Sequence, residues 1–248
     1  MTKRFVLLFF LLAVSLNVWA DPGYYVVTVY DNKDEKSLDY RYWAVSRANG
    51  AETIWPELGF GYGVTARWYT ELYASAIGTS KSDLKLSTWN WQNDYQLTQG
   101  QYPVDLALHT NFIRPHDTAD GYTFEFGPAL QTDMGKVRLN GNVFFERSFA
   151  SEESYGNGQA NATQMKYQWQ VKYRWIPSFH IGLQGFGELG DWDHWASRDQ
   201  QSHRIGPALF GSFELMSSTK FAYQAAYLKG SVYGKHADMF TMRLQLLF

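Results

Sequence analysis

The chain has 248 residues, no cysteine, and 22 basic against 24 acidic side chains, a formal charge of −2. That balance excludes the basic surplus of a nucleic-acid binder, and the absence of cysteine excludes a disulfide-stapled secreted domain and a cleaved lipoprotein. Aromatic residues make up 18% of the chain, yet past residue 20 no apolar run approaches the ~18 residues of a helical membrane span, so a helical membrane protein is excluded.

Taken in chain order, residues 1–20 read as a cleaved signal peptide. Lys3 and Arg4 precede an apolar run from Phe5 to Leu16, and Val18-Trp19-Ala20 supplies small residues at −3 and −1 before Asp21. The run is too short to cross a hydrocarbon core of ~30 Å. Loss of Lys3 and Arg4 leaves 20 basic residues against 24 acidic, or −4. Residues 21–36 contain one short apolar stretch, Tyr24 to Tyr30, assigned to an N-terminal periplasmic or plugging segment.

From residue 37 onward, turn signals recur every ten to fifteen residues with alternating patterns between them, as strands require. Twelve strands are expected, at 37–46, 53–64, 67–79, 84–97, 102–113, 121–133, 136–148, 162–174, 179–190, 203–215, 219–231 and 237–248. The clearest alternation runs over 163–175. Met165, Tyr167, Trp169, Val171, Tyr173 and Trp175 form one face; Gln164, Lys166, Gln168, Gln170, Lys172 and Arg174 form the other. Short links are expected near 64–66, 98–100, 134–135, 176–177 and 217–218. Longer polar ones are expected at 47–52, 80–83, 114–120, 149–161, 191–202 and 232–236. Trp55-Pro56, Gly127-Pro128 and Gly206-Pro207 recur at matching places in their strands. Proline deletes a ladder donor, which suggests a repeated bulge or bend.

The last strand carries the most information. Phe240, Met242, Leu244, Leu246 and Phe248 occupy every second position, opposite Thr241, Arg243 and Gln245. This pattern resembles the closing strand of Gram-negative outer-membrane β-barrels, a small porin-like class. The resemblance implies an all-β fold, a single closed antiparallel transmembrane barrel of twelve strands over 37–248, in the bacterial outer membrane. It implies contact with outer-membrane lipids and lipopolysaccharide, and recognition by barrel-assembly machinery through the strand ending at Phe248. An even strand number places both ends in the periplasm.

Charge on a lipid face costs about 2–4 kcal/mol at mid-membrane, so the polar rows must face the lumen. The inward set contains the lining candidates Arg41, His109, Glu125, Arg138, Glu146, Lys166, Lys172, Arg174, Arg204 and Arg243, with Asp39, Glu57, Glu71, Asp94, Asp105, His180, Glu188 and Glu214. Mixed signs suit a narrow channel for small polar solutes, or ion pairs that close the bore. Lys166, Lys172, Arg174 and the neighbouring Arg138 would suit an anionic solute, unless Glu125 and Glu146 neutralise them. No cofactor, metal or catalytic residue is assigned. A lipid-modifying enzyme or a structural or adhesive surface protein is the alternative, but His109, Ser178/His180 and Ser202/His203 form no specific motif. Loops 149–161 and 191–202 are candidate gates, the second carrying Trp192 and Trp195.

Overall fold

The computed structural model describes residues 25–29, 33–47, 52–79, 83–117, 121–149 and 162–248; the expected signal peptide lies outside them, as does most of loop 149–161. Twelve strands run through the chain: β1 (Lys36–Arg47), β2 (Thr53–Gly63), β3 (Trp68–Ile77), β4 (Lys85–Gln96), β5 (Asp105–Pro115), β6 (Tyr122–Met134), β7 (Val137–Phe149), β8 (Thr163–Ile176), β9 (Phe179–Asp191), β10 (Ser202–Met216), β11 (Thr219–Val232) and β12 (Lys235–Leu247). Each pairs antiparallel with its sequence neighbours, and β1 pairs with β12, so the sheet closes into a barrel with no free edge.

Alternation decides which face is which. In β12, Thr241 and Arg243 are buried inside while Phe240 is exposed outside. In β8, Lys166, Gln168 and Gln170 are buried while Tyr173 and Trp175 face out. Leu58, Phe60, Leu72, Trp91, Leu183 and Leu209 continue an exposed apolar belt around the wall. A continuous belt of this kind far exceeds the apolar patches that soluble monomers tolerate, and it matches the lipid-facing band of a membrane barrel.

Two links differ from their expected lengths. The β11–β12 connection is only Tyr233–Gly234, with φ of 46° and 72°. Two successive left-handed residues make the tight hairpin turn whose twist matches the strands, so no longer loop is needed. The β4–β5 connection is instead extended to residues 97–104, because Pro103 has no N–H to contribute to a ladder. The proline sites also differ from expectation: no bulge forms at them. Pairing on one side of each proline lapses for two residues and resumes in the same register, between Phe126 and Ala129 and between Ile205 and Ala208, for example. There the glycine lets the strands approach closely. A Cβ on Gly127 would sit 2.1 Å from the Val143 carbonyl oxygen, and one on Gly206 1.9 Å from that of Tyr227.

The stretch Tyr25–Val29 lies inside the barrel. The Tyr25 hydroxyl donates to Gln92 Oε1 on β4 (2.6 Å), and its ring lies 3.4 Å from the Arg41 guanidinium on β1. Two residues on, the Val27 N–H donates to Gln168 Oε1 on β8 (3.1 Å), and Asn142 Nδ2 on β7 donates to the Val27 carbonyl (2.9 Å). In a ring of twelve, β1 and β7 are six strands apart, so three consecutive residues touch opposite walls. Val26 packs in a cluster with Trp43, Trp55, Phe186, Phe210 and Leu228, and Tyr25 and Val27 in another with Ala107, Ala129 and Phe144.

Candidate functional site

The lumen is where the charged residues meet, and they sort into two levels. In the fully buried group, Arg243 Nε donates to Asp39 Oδ2 (2.7 Å) and its Nη2 to Glu71 Oε1 (3.2 Å). Arg41 reaches the other Glu71 oxygen (3.3 Å) and Gln92 Oε1 (3.2 Å). The Tyr73 hydroxyl bridges Asp39 (2.7 Å) and Glu71 (2.8 Å). Two guanidinium groups thus meet two carboxylates, all buried. Tyr73 reaches them by lying across Gly59, its cross-strand partner, where a Cβ would fall 2.2 Å from the ring. Glycine is needed there so that an inward tyrosine can lie flat along the wall.

A second network spans the neighbouring wall. His109 Nδ1 lies 2.6 Å from Asp94 Oδ1, and its Nε2 3.3 Å from Glu125 Oε1. Glu125 Oε2 lies 2.5 Å from Lys166 Nζ, which also bonds Glu146. Arg204 pairs with Glu188 on the adjacent strand. Glu57 is held by Ser75 (2.5 Å) and Asn90 (3.0 Å). Buried charges demand such partners, because an unpaired one in a low-dielectric interior is costly.

The second level is a cavity of about 410 Å³ at the end of the barrel that carries the β6–β7, β8–β9 and β10–β11 turns. The even strand number puts both chain ends at this side with the short turns, the side that faces the periplasm in outer-membrane barrels. Arg138, Lys172, Arg174, His180, Lys220 and Arg243 line it, with Val26, Thr28 and Val29 also on its wall. Asp133 accepts from Arg138 (2.9 and 3.0 Å) and forms an ion pair with Arg174 (3.3 Å). Lys172 Nζ stands 4.5 Å over the Phe210 ring. Among the described residues no carboxylate lies within ion-pairing distance of Lys172 or Lys220.

The ten lining candidates therefore divide. Arg41 and Arg243 belong to the paired, fully buried network; His109, Glu125, Glu146 and Lys166 belong to the second one, and Arg204 pairs with Glu188. Arg138, Lys172 and Arg174 meet in the cavity, whose wall Arg243 also reaches. The basic row read along β8 is thus split: Glu125 and Glu146 neutralise Lys166, six residues from Lys172, and leave the other three cations alone. Lys220 was missed as a partner of that group. Its inward parity, opposite Glu214 near the β10–β11 turn, was the available signal. Trp192 packs edge-on against Phe145, an outward residue, at 6.4 Å. His203, considered beside Ser202, has both ring nitrogens engaged, by the Tyr167 hydroxyl (2.9 Å) and Gln201 Oε1 (2.8 Å). Among the described residues no three His, Asp or Glu side chains group as metal ligands.

A closed barrel with an apolar outer belt and an ionised, hydrogen-bonded interior is the architecture of an outer-membrane β-barrel, and this chain is one. Solved structures of that kind share its fold. A NanC porin structure aligns at TM-score 0.59 and 12% identity, over 85% of this chain and 98% of its own. The COG4313 outer membrane channel from Pseudomonas putida F1 aligns at 0.54 and 12%, over 92% and 99%. The translocator domain of the autotransporter NalP from Neisseria meningitidis aligns at 0.51 and 8%, over 86% and 87%. No protein-family model and no curated protein sequence matches the chain.

Proposed function

We propose that this barrel is a narrow outer-membrane channel for small polar solutes, anions among them, and that Tyr25–Val29 acts as a plug which holds it shut. The observation that carries this reading is a lumen holding buried charged networks and a basic vestibule, crossed by Tyr25–Val29, a stretch bonded to opposite walls. A barrel serving only as scaffold would more simply fill its lumen with side chains. Here a separate piece of chain is threaded among the inward side chains Trp43, Trp55, Phe186 and Leu228, held by a few hydrogen bonds and three buried side chains of its own. Ordering five backbone residues costs about 1–2 kcal/mol each, and a buried apolar side chain returns about 1.5–3 kcal/mol. The two sides are of similar size, so the segment is fit to leave. Two of the relatives in fold are described as a porin and a channel, which agrees with this reading.

Planar-bilayer recordings test it. The chain lacking residues 25–29 is expected to give steady discrete steps, and the intact mature chain rarer or smaller ones. A Val27→Cys/Asn142→Cys pair, bridged by a short thiol crosslinker in this otherwise cysteine-free chain, is expected to stay closed. Equal conductance with and without the segment would remove the plug while leaving the channel. Silence from both, with folded barrels confirmed by heat-modifiable gel mobility, would remove the channel.

A further inference from the structure

We infer that the periplasmic vestibule is a binding site for a small organic anion bearing two or more carboxylates. This deepens the channel reading by naming a solute class, and it rests on that reading only for what binding accomplishes.

The charge count comes first. Arg138, Lys172, Arg174 and Lys220 contribute four cations around the cavity, beside Arg243, whose charge Asp39 and Glu71 already balance. Asp133 is the carboxylate bonded to the two arginines, and Glu214 stands across the β10–β11 pair from Lys220. Even with both carboxylates counted, cations lead four to two. The fully buried network by contrast is balanced, so the surplus is local to this cavity. It is also distributed over β7, β8 and β11 rather than gathered at one point. A site of that breadth favours separated negative groups over a single one.

Size and lining exclude a bare inorganic ion as the best fit. At ~30 Å³ per water, 410 Å³ holds about fourteen water volumes, far more than phosphate or chloride would fill. The wall is mixed: Val26, Val29, Phe210 and Leu247 offer apolar surface between the cations. A carbon skeleton carrying carboxylates satisfies both. The arginines are already partly committed, Arg138 by a two-pronged bond to Asp133 and Arg174 by the Gly135 carbonyl at 2.5 Å. The lysines are the cations left to meet a ligand. A positively lined cleft with low-dielectric walls also focuses its field and raises the local anion concentration.

Citrate is the probe. Calorimetry on the purified mature barrel at low salt should give one citrate bound per chain, phosphate at least tenfold weaker, and no heat from glucose. In the double variant Lys172→Glu/Lys220→Glu the citrate affinity should fall at least tenfold. Lys229→Glu, an outward residue far from the cavity, should leave it unchanged. Absence of citrate binding, or binding indifferent to the double reversal with gel mobility unchanged, overturns the site. In bilayers, citrate on the periplasmic side should reduce the current that the intact mature chain passes, but not that of the same chain with both reversals. Citrate binding by a barrel that never conducts keeps the site and removes the channel; conduction without citrate binding does the reverse.

Discussion

The middle of this lumen and its periplasmic mouth carry similar residue types and treat them in opposite ways. In the buried group each arginine has a carboxylate, each carboxylate has further donors, and a tyrosine spans the pair. At the mouth two arginines share one aspartate, and two lysines have no carboxylate at ion-pairing distance among the described residues. The difference follows from water. Deep in the barrel, desolvation makes an unpaired charge too costly to keep. At the mouth, solvent screens the charge, so an excess survives there without a large loss of stability. Charge that folding must neutralise is structural. Charge that folding leaves over is available to a ligand.

The comparison breaks most sharply at Arg243. Arg243→Ala leaves Asp39 and Glu71 sharing Arg41 alone, and should destabilise the barrel by about 3–5 kcal/mol, as removal of one partner of a buried pair does. Guanidinium unfolding in micelles, followed by tryptophan fluorescence, measures this. Arg243→Lys should recover only part of it, because a single ammonium cannot replace two directed N–H bonds at 2.7 and 3.2 Å. A loss under 1 kcal/mol for the alanine variant would mean that water enters the middle freely. The contrast between the two levels would then fail.

The outer wall provides the next largest effect. Leu209 faces out from the centre of β10. Leu209→Arg should cost about 2–4 kcal/mol in a bilayer if this level sits at the membrane midplane. Arginine on the same strand closer to the turn, at Phe213, should cost visibly less. The gradient between the two, read from folding titrations into lipid vesicles, locates the belt. Equal costs at both depths would contradict a lipid-facing wall.

Much of this arrangement was legible in the chain. Period-two alternation is a local signal, so the wall, its inward rows and the strand number follow from it, as at β8 and β12. The two misjudged links have local causes as well. A tight turn at Tyr233–Gly234 looks like a longer polar loop because lysine and histidine follow it, and Pro103 shortens β5 from within an otherwise alternating run. The pairing inside the lumen was beyond reach. Whether Lys166 meets Glu125 or stays with Lys172 depends on stagger around a closed barrel, and parity along one strand carries no information about height. Tyr25–Val29 was visible only as an apolar run. That it spans from β1 to β7 is a matter of three-dimensional closure.

The smallest effect is the one most diagnostic of the vestibule. Lys172→Gln removes a cation from among Arg138, Arg174 and Lys220, with only the Phe210 ring as a close contact to lose. The lost cation–π contact is worth about 0.5–1 kcal/mol at an exposed site. Relief of like-charge repulsion acts the other way, so the net change in stability should stay within about 0.5 kcal/mol of zero. Salt separates the two contributions. Screening lengths fall from about 30 Å at 0.01 M to 3 Å at 1 M, so the repulsive part fades as salt rises while the ring contact persists. Relative to the wild type, the variant should therefore be at its most stable in dilute buffer and lose that advantage at high salt. At Arg243 the ordering is reversed, since its alanine variant stays the weaker protein at every ionic strength. A Lys172→Gln difference that ignores salt would mean that the four cations do not feel one another, and the vestibule would hold no surplus field for an anion to use.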